Sequence, residues 1–429
     1  MPPPPRWVHP PKTPLDATVR PPGSKSLTNR ALLLAALADG PCRLSGILDA
    51  DDTRRCVAAL RALGVLVAVQ DDTATVHGTG GRFAPPTTPL DVGTAGTVAR
   101  FLTAILAMGP HPVALDGSAR MRERPMAGLL AALSSLGGTV VCEGAPDALP
   151  LRAGGPAEGP RGGPVVLTDP PSSQFVSALL YAGLAADRPV QVTVRGALPA
   201  RPYVTMTVAV ARAFGARIDT PEPNRWVAHP GPLAARAYAV EPDASSASYL
   251  LAAAAIFGGR VTVEGLGRSS LQGDARFVEV LAAMGARVEQ DEHTTTVTGT
   301  GRLTGVDVSL ADMPDLALTV AVAALHAKGR TVLRDVGVLR HHESDRLTAA
   351  ARELRKFGAT VTEHDDGLVI DPPPALPEAT VPVATYDDHR MAMAFSLGGD
   401  VLVHDPRCVE KTYPGFFNDL ARLGMVEPA

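Results

Sequence analysis

Six times along the chain an apolar run with helical spacing closes on a glycine and gives way to β-branched residues. The segments are LRALGVLV (60–67), LSSLGGTV (133–140), ARAFGARI (211–218), LAAMGARV (281–288), LRKFGATV (354–361) and LARLGMV (420–426). Their glycines, Gly64, Gly137, Gly215, Gly285, Gly358 and Gly424, recur at intervals of 66 to 78 residues. A glycine that ends a helix and precedes a strand marks one supersecondary unit, so the pattern predicts six related modules. Within a module the strand turns back on itself. Asp366-Gly367 between Ala359–Glu363 and Leu368–Ile370 is a hairpin signal, and Asp71-Asp72 and Asp291-Glu292 occupy comparable places. Each module thus reads as helix, strand, turn, strand, and the class is α/β.

Six modules divide into three and three. A length of 429 residues points the same way, because one hydrophobic core stops growing near roughly 250 to 300 residues. Proline marks the predicted boundaries at Pro21-Pro22 and Glu241-Pro242. One domain would comprise 1–21 and 243–429, the other 22–242, with hinges near Pro21 and Pro242. The strand expected at Leu15–Val19 would then belong with the C-terminal half.

Composition removes several function classes. The longest apolar runs, such as Phe175–Ala186 and Ala317–Ala327, fall short of the ~18 to 20 residues that a membrane helix needs. The opening MPPPPRWVHPP lacks the apolar stretch of a signal peptide and is expected to be a loose tail, which places the protein in the cytoplasm. Cys42, Cys56, Cys142 and Cys408 lack the paired spacing of a disulfide framework or a zinc site. A net charge of −4 gives no general attraction for nucleic acid or an acidic membrane, so anion binding has to be local.

Local cations do occur, at predicted helix starts. Ser24-Lys25-Ser26-Leu27-Thr28-Asn29-Arg30 leads into Ala31–Ala38, Gly93-Thr94-Ala95-Gly96-Thr97 into Val98–Ala107, and Ser172-Ser173-Gln174 into Phe175–Ala186. Asp243 to Ser246, Met313-Pro314-Asp315, Glu343 to Arg346 and Asp387 to Arg390 precede later helices. Hydroxyls and carboxylates there are ordinary caps. Lys25, Arg30, Arg346 and Arg390 are different, since a cation at a helix N-terminus opposes the dipole unless an anion lies there. Lys25 does not follow the glycine spacing of a P-loop, which argues against a nucleotide kinase. Arg120, Arg122 and Arg124 form a further basic cluster before Pro125.

Taken in order, these segments resemble the 5-enolpyruvylshikimate-3-phosphate synthase family of enolpyruvyl transferases. The matches are PGSKSLTNRALLLAALA (22–38), GTAGTVARFLTA (93–104), RMRERP (120–125), SSQFVSALL (172–180), DASSASYLLAAAAI (243–256), MPDLALTVA (313–321), ESDRLTAAARELRKFGA (343–359), TYDDHRMAMAFSL (385–397) and DPRCVEKTYPGFF (405–417). The resemblance implies two similar domains, each of three β-α-β-α-β-β units in an inside-out α/β barrel, with the active site in the interdomain cleft. It also implies transfer of the carboxyvinyl group of phosphoenolpyruvate to the 5-hydroxyl of shikimate 3-phosphate, without a metal or organic cofactor. A monomer acting on small anionic substrates, with no nucleic-acid or membrane partner, is expected.

The family pattern assigns phosphoenolpyruvate to Lys25, Gly96, Arg124, Gln174, Arg346, Arg390 and Lys411. It assigns shikimate 3-phosphate to Ser26, Arg30, Ser172, Ser173, Gln174, Tyr203, Asp315 and His342. Asp315 is implied as the base for the hydroxyl, Glu343 as the group that handles the proton at C3, and Lys25 as charge stabiliser, with His389 in support. Thr94, Ala200 and Phe101 depart from the family's usual Asn, Ser and Pro, and His342 from a common Lys. An ordinary His titrates near pH 6.5, so grip on the sugar phosphate is expected to weaken between about pH 6 and 8. A modified shikimate-like acceptor or a UDP-amino sugar are the alternative substrates. Glyphosate is expected to compete with phosphoenolpyruvate, since Gly96 leaves a small gap.

Overall fold

A computed structural model of the chain describes residues 4–156 and 159–427. The chain forms two compact units, Gly23–Val240, and Met1–Pro22 with Glu241–Ala429, and passes between them at 22–23 and 240–241. Each unit has its own apolar core.

In the unit Gly23–Val240, helices Lys25–Leu37, Gly96–Ala107 and Ser173–Ala185 are buried almost throughout. Sequences such as ALLLAAL carry no polar stripe, and a helix apolar all round belongs inside. Helices Asp51–Ala62, Ala127–Ser135 and Pro202–Ala213 bury one side only and precede Gly64, Gly137 and Gly215, each with φ between 81° and 84°. That left-handed conformation suits glycine and lets the chain leave the helix end.

Every module of this unit then contributes a sheet of one design, a parallel pair extended by an antiparallel hairpin. Gly163–Thr168 runs parallel to Val190–Arg195, which pairs antiparallel with Arg225–Ala228 and through it with Ile218–Glu222. Leu90–Asp91, Val113–Asp116, Leu151–Ala153 and Val140–Cys142 follow the same order. In the third sheet, Leu233–Ala234 and Ala237–Ala239 lie parallel to Ala38–Ser45, followed by Thr73–Thr79 and Leu66–Gln70.

The other unit repeats the design around buried helices Ala244–Phe257, Ala317–Leu325 and His389–Phe395. Leu15–Val19 pairs parallel with Gly259–Glu264, in register Leu15 to Gly259. Asp307–Ser309, Thr331–Arg334, Gly367–Asp371 and Thr360–His364 form the second sheet. No helix among the described residues is long and apolar enough to cross a membrane.

The sixth module departs from the repeat. Gly424 follows helix Phe416–Arg422 at φ 70°, but no strand pair succeeds it among the described residues. The outer strand comes instead from the other end of the chain: Arg6–Val8 pairs antiparallel with Val401–Val403, which is parallel to Val381–Val383. The expectation of a loose N-terminal tail is therefore wrong for Arg6–Val8, where Val8 is fully buried and His9 N donates to Met425 O at 2.8 Å. Met1–Pro3 of that tail lie outside the described residues.

Candidate active site

The polar motifs become the first turns of the buried helices. Helix Lys25–Leu37 begins earlier than its apolar pattern suggests, so Arg30 lies in its second turn rather than ahead of it. Arg30 is 1% exposed, yet none of its partners among the described residues is a carboxylate. Nε donates to Thr207 Oγ1 at 2.8 Å, Nη1 to Ser26 O at 2.9 Å and Nη2 to Tyr203 O at 3.1 Å. The rings of Phe101 and Tyr203 flank the guanidinium at 5.3 and 6.0 Å. Burial pushes its pKa down, but an arginine stays charged at neutral pH. A buried cation held by neutral oxygens and ring faces is costly, and an anion beside it would offset that cost.

Lys25, one turn earlier, pairs with the buried Asp52 at 3.0 Å. Gly96 opens helix Gly96–Ala107 beside Arg124, which is 7% exposed and donates to the main-chain oxygen of Thr94 at 3.2 Å. The Thr94 side chain takes no part in that bond. Arg120 and Arg122 are surface cations paired with Glu123 and Asp116, so the basic cluster divides, and only Arg124 turns inward. Ser172 caps helix Ser173–Ala185 by accepting from Gln174 N at 3.2 Å, and Ser173 is buried in its first turn.

Arg100 escaped the sequence reading. It donates to Gln174 Oε1 at 2.6 Å and to Pro125 O at 3.1 Å, and so fixes Gln174 and the residue after Arg124 together. An arginine inside the apolar stretch VARFLTAILA was the available signal. Phe101 lies within the uninterrupted helix Gly96–Ala107. It stacks on Tyr181 at 4.8 Å and lies under Arg30, so this departure acts on Arg30 rather than on Gly96. Ala200 sits at φ 52°, and its oxygen accepts from Tyr203 N at 3.1 Å.

In the other unit the anions beside the cations include side-chain carboxylates. Arg346, 1% exposed, reaches three carboxylates: Asp315 Oδ1 at 2.9 Å, Glu343 Oε2 at 2.8 Å and Asp388 Oδ2 at 2.8 Å. Arg390 Nη2 holds Asp315 Oδ2 at 2.8 Å, and Lys411 holds Glu343 Oε1 at 2.9 Å. Asp315 and Glu343 are therefore each gripped by two cations, with Arg346 common to both. Burial alone would push the Asp315 carboxyl up, but Arg390, His342 and Arg346 hold it well below the usual carboxylate range. Burial likewise opposes the Arg346 charge, and Asp388, Glu343 and Asp315 outweigh it and raise its pKa.

Asp388 also caps helix His389–Phe395 by accepting from Arg390 N at 3.0 Å, and Asp345 caps helix Arg346–Lys356 through Thr348 N at 3.2 Å. His389 is buried with Nδ1 3.7 Å from Asp388 Oδ1. His342 Nδ1 lies 2.9 Å from Arg346 Nη1 and 3.5 Å from Asp315 Oδ1. Burial lowers the His342 pKa, with Asp315 working the other way. The expected weakening between pH 6 and 8 assumed an ordinary histidine, and burial moves the titration of His342 toward lower pH.

Comparison with known proteins gives one consistent result. The sequence model of EPSP synthase (3-phosphoshikimate 1-carboxyvinyltransferase) matches residues 10–420. The 3-phosphoshikimate 1-carboxyvinyltransferase of Serratia proteamaculans (strain 568) is 43% identical over 428 residues, 96% of this chain and 97% of that protein. The protein of the same name from Thiobacillus denitrificans is 45% identical, over 95% and 96% of the two chains. Among solved structures, EPSP synthase from Acinetobacter baumannii superposes with a TM-score of 0.80 at 26% identity, covering 98% of this chain and 99% of that one.

Proposed function

The chain belongs to the EPSP synthase family, and on that premise we propose how its residues divide the reaction. It transfers the carboxyvinyl group of phosphoenolpyruvate to the 5-hydroxyl of shikimate 3-phosphate, releasing phosphate, in aromatic amino acid biosynthesis. Neither a modified acceptor nor a UDP-amino sugar is favoured by the relatives.

Two carboxylates held through a common arginine carry the reading of the site. The acceptor hydroxyl adds to C2 of phosphoenolpyruvate while C3 gains a proton; the tetrahedral intermediate then loses phosphate and a proton from C3. One group must take the hydroxyl proton, and another must give and recover a proton at carbon. Asp315 is ionised at neutral pH and takes the first role, while Glu343 takes the second. In the ion network Asp315 is a weak base, because its cations stabilise the charged form. Anionic ligands that draw Arg346, Arg390 and Lys411 onto themselves loosen the grip on both carboxyls, so ligand binding frees the catalytic pair.

Arg30 takes an anionic group of shikimate 3-phosphate, with Ser26, Ser172, Ser173, Gln174, Tyr203 and His342 completing that set. Lys25, Gly96, Arg124 and Gln174 join Arg346, Arg390 and Lys411 on phosphoenolpyruvate. His389 supports the site from beneath Asp388. The reading is of a monomer; the net charge of −4 gives no general attraction for nucleic acid or an acidic membrane, and the four free cysteines fit a reducing cytoplasm. The test is phosphate release measured with phosphoenolpyruvate and shikimate 3-phosphate, with a UDP-amino sugar as parallel acceptor. Release with the first acceptor alone supports the reading, and release with the amino sugar alone overturns it.

A further inference from the structure

Asp274 lies outside every motif used above, in the short turn Gly273–Arg276, and is 3% exposed. Its Oδ2 accepts a hydrogen bond from Ser245 Oγ in the first turn of helix Ala244–Phe257. It borders a cavity of about 10 Å³ lined mainly by apolar side chains, including Ala247, Leu251 and Phe277, at the lower limit for one water. The carboxyl is therefore poorly hydrated.

The same helix leads to the catalytic network. Tyr249, fully buried one turn beyond Ser245, has its hydroxyl 3.4 Å from Arg390 Nη1, and Arg390 Nη2 is 2.8 Å from Asp315 Oδ2. The turn Pro314–Leu316, which carries Asp315, packs on this helix as the turn of Asp274 does. The charged groups facing Asp274 are Asp243 at the helix cap, Asp315 from that turn and Arg390 from helix His389–Phe395. Burial first, and the Asp315 charge next, push the Asp274 carboxyl up to about 7, with Ser245 and Arg390 working the other way.

We infer that Asp274 is a positioning residue for the transfer reaction: its charge state sets the proton affinity of Asp315 through the field they share with Arg390. Neutral Asp274 leaves Asp315 a weak base. Ionised Asp274 repels the Asp315 charge and makes it a stronger one, so turnover rises as Asp274 gives its proton to solvent. The coupling is reciprocal: when Asp315 takes the proton of the acceptor hydroxyl, the repulsion on Asp274 is relieved and its own proton is released more readily. This rests on the assignment of Asp315 as the hydroxyl base.

The test is kcat against pH between about 5.5 and 8.5, both substrates saturating, for the parent enzyme, Asp274→Asn, Ser245→Ala and Asp315→Asn. The parent is expected to show a rise centred near neutrality. Asp274→Asn, whose amide mimics the neutral acid, should lose that rise and stay at the low-pH level, about three- to tenfold below the parent plateau. Ser245→Ala removes a donor that favours the ionised form and should move the rise to higher pH. Its shift alone decides the matter should Asp274→Asn fail to fold by circular dichroism. A parent profile without the rise, an unaltered rise in Asp274→Asn, or an unshifted midpoint in Ser245→Ala overturns the inference. Near-native turnover of Asp315→Asn overturns the base assignment instead, so the two failures are distinguishable.

Discussion

A methyl group on Gly96 would stand 2.7 Å from Arg124 Nη1 and 2.8 Å from its Cζ. Real Cβ atoms do not approach this closely, so Gly96→Ala must displace the guanidinium from its bond to Thr94 O. A charge-assisted hydrogen bond lost to phosphoenolpyruvate is worth about a factor of ten. Steady-state kinetics of Gly96→Ala should show KM for phosphoenolpyruvate raised about tenfold, with kcat less affected and glyphosate inhibition weakened. An unchanged KM would separate Arg124 from that ligand.

Arg30 predicts a split between stability and affinity. The buried charge has no carboxylate partner among the described residues, so Arg30→Met removes a desolvated cation along with its three hydrogen bonds. Urea unfolding should stay within about 1 kcal/mol of the parent. Affinity for shikimate 3-phosphate should fall by about two orders of magnitude, as expected for loss of a buried charge partner. Collapse of the fold with affinity retained would refute the assignment.

His342 should leave little mark in the upper half of the interval from pH 6 to 8. Burial lowers its pKa, so its change of charge moves toward lower pH. KM for shikimate 3-phosphate is predicted to show the same pH dependence in His342→Gln as in the parent. A dependence present in the parent and abolished in the variant would restore the ordinary titration.

His326 should mark acid stability. Burial pushes its pKa down to about 4, while Nε2 donates to Leu397 O at 2.9 Å and the ring packs edge-on against Phe257. The unfolded chain, titrating near 6.5, binds the proton first as pH falls. The stabilisation from His326 is complete above about pH 6.5 and lost toward pH 4, on the order of 3 kcal/mol. Urea midpoints of His326→Gln should fall less steeply across that window than those of the parent, and parallel curves would contradict this.

The sequence disclosed what is local. A glycine closing an amphipathic helix before β-branched residues needs φ > 0 whatever surrounds it, and Gly64 to Gly424 could be read one by one. The pairing of Arg6–Val8 with Val401–Val403 could not, because a three-residue strand is identified by its partner and that partner lies almost the whole chain away. The site behaves likewise. Cations ahead of apolar helices pointed to anion chemistry, but Arg346 finds Asp315 and Asp388 across 31 and 42 residues, and Arg390 finds Asp315 across 75. Hence Arg30 and Arg346 looked equivalent in sequence although only one has a carboxylate partner. Arg100 and Asp274 act through neighbours distant in sequence; Arg100 was signalled only by its place in an apolar stretch, and Asp274 belongs to no motif.

The most direct test of the account is the separation of binding from turnover in Asp315→Asn. The amide keeps the size of the side chain and cannot accept the hydroxyl proton, so kcat should fall by about two orders of magnitude or more while the dissociation constant for shikimate 3-phosphate stays within about threefold. Turnover near that of the parent, or a loss confined to binding, would contradict the role of Asp315 as the base held between Arg346 and Arg390.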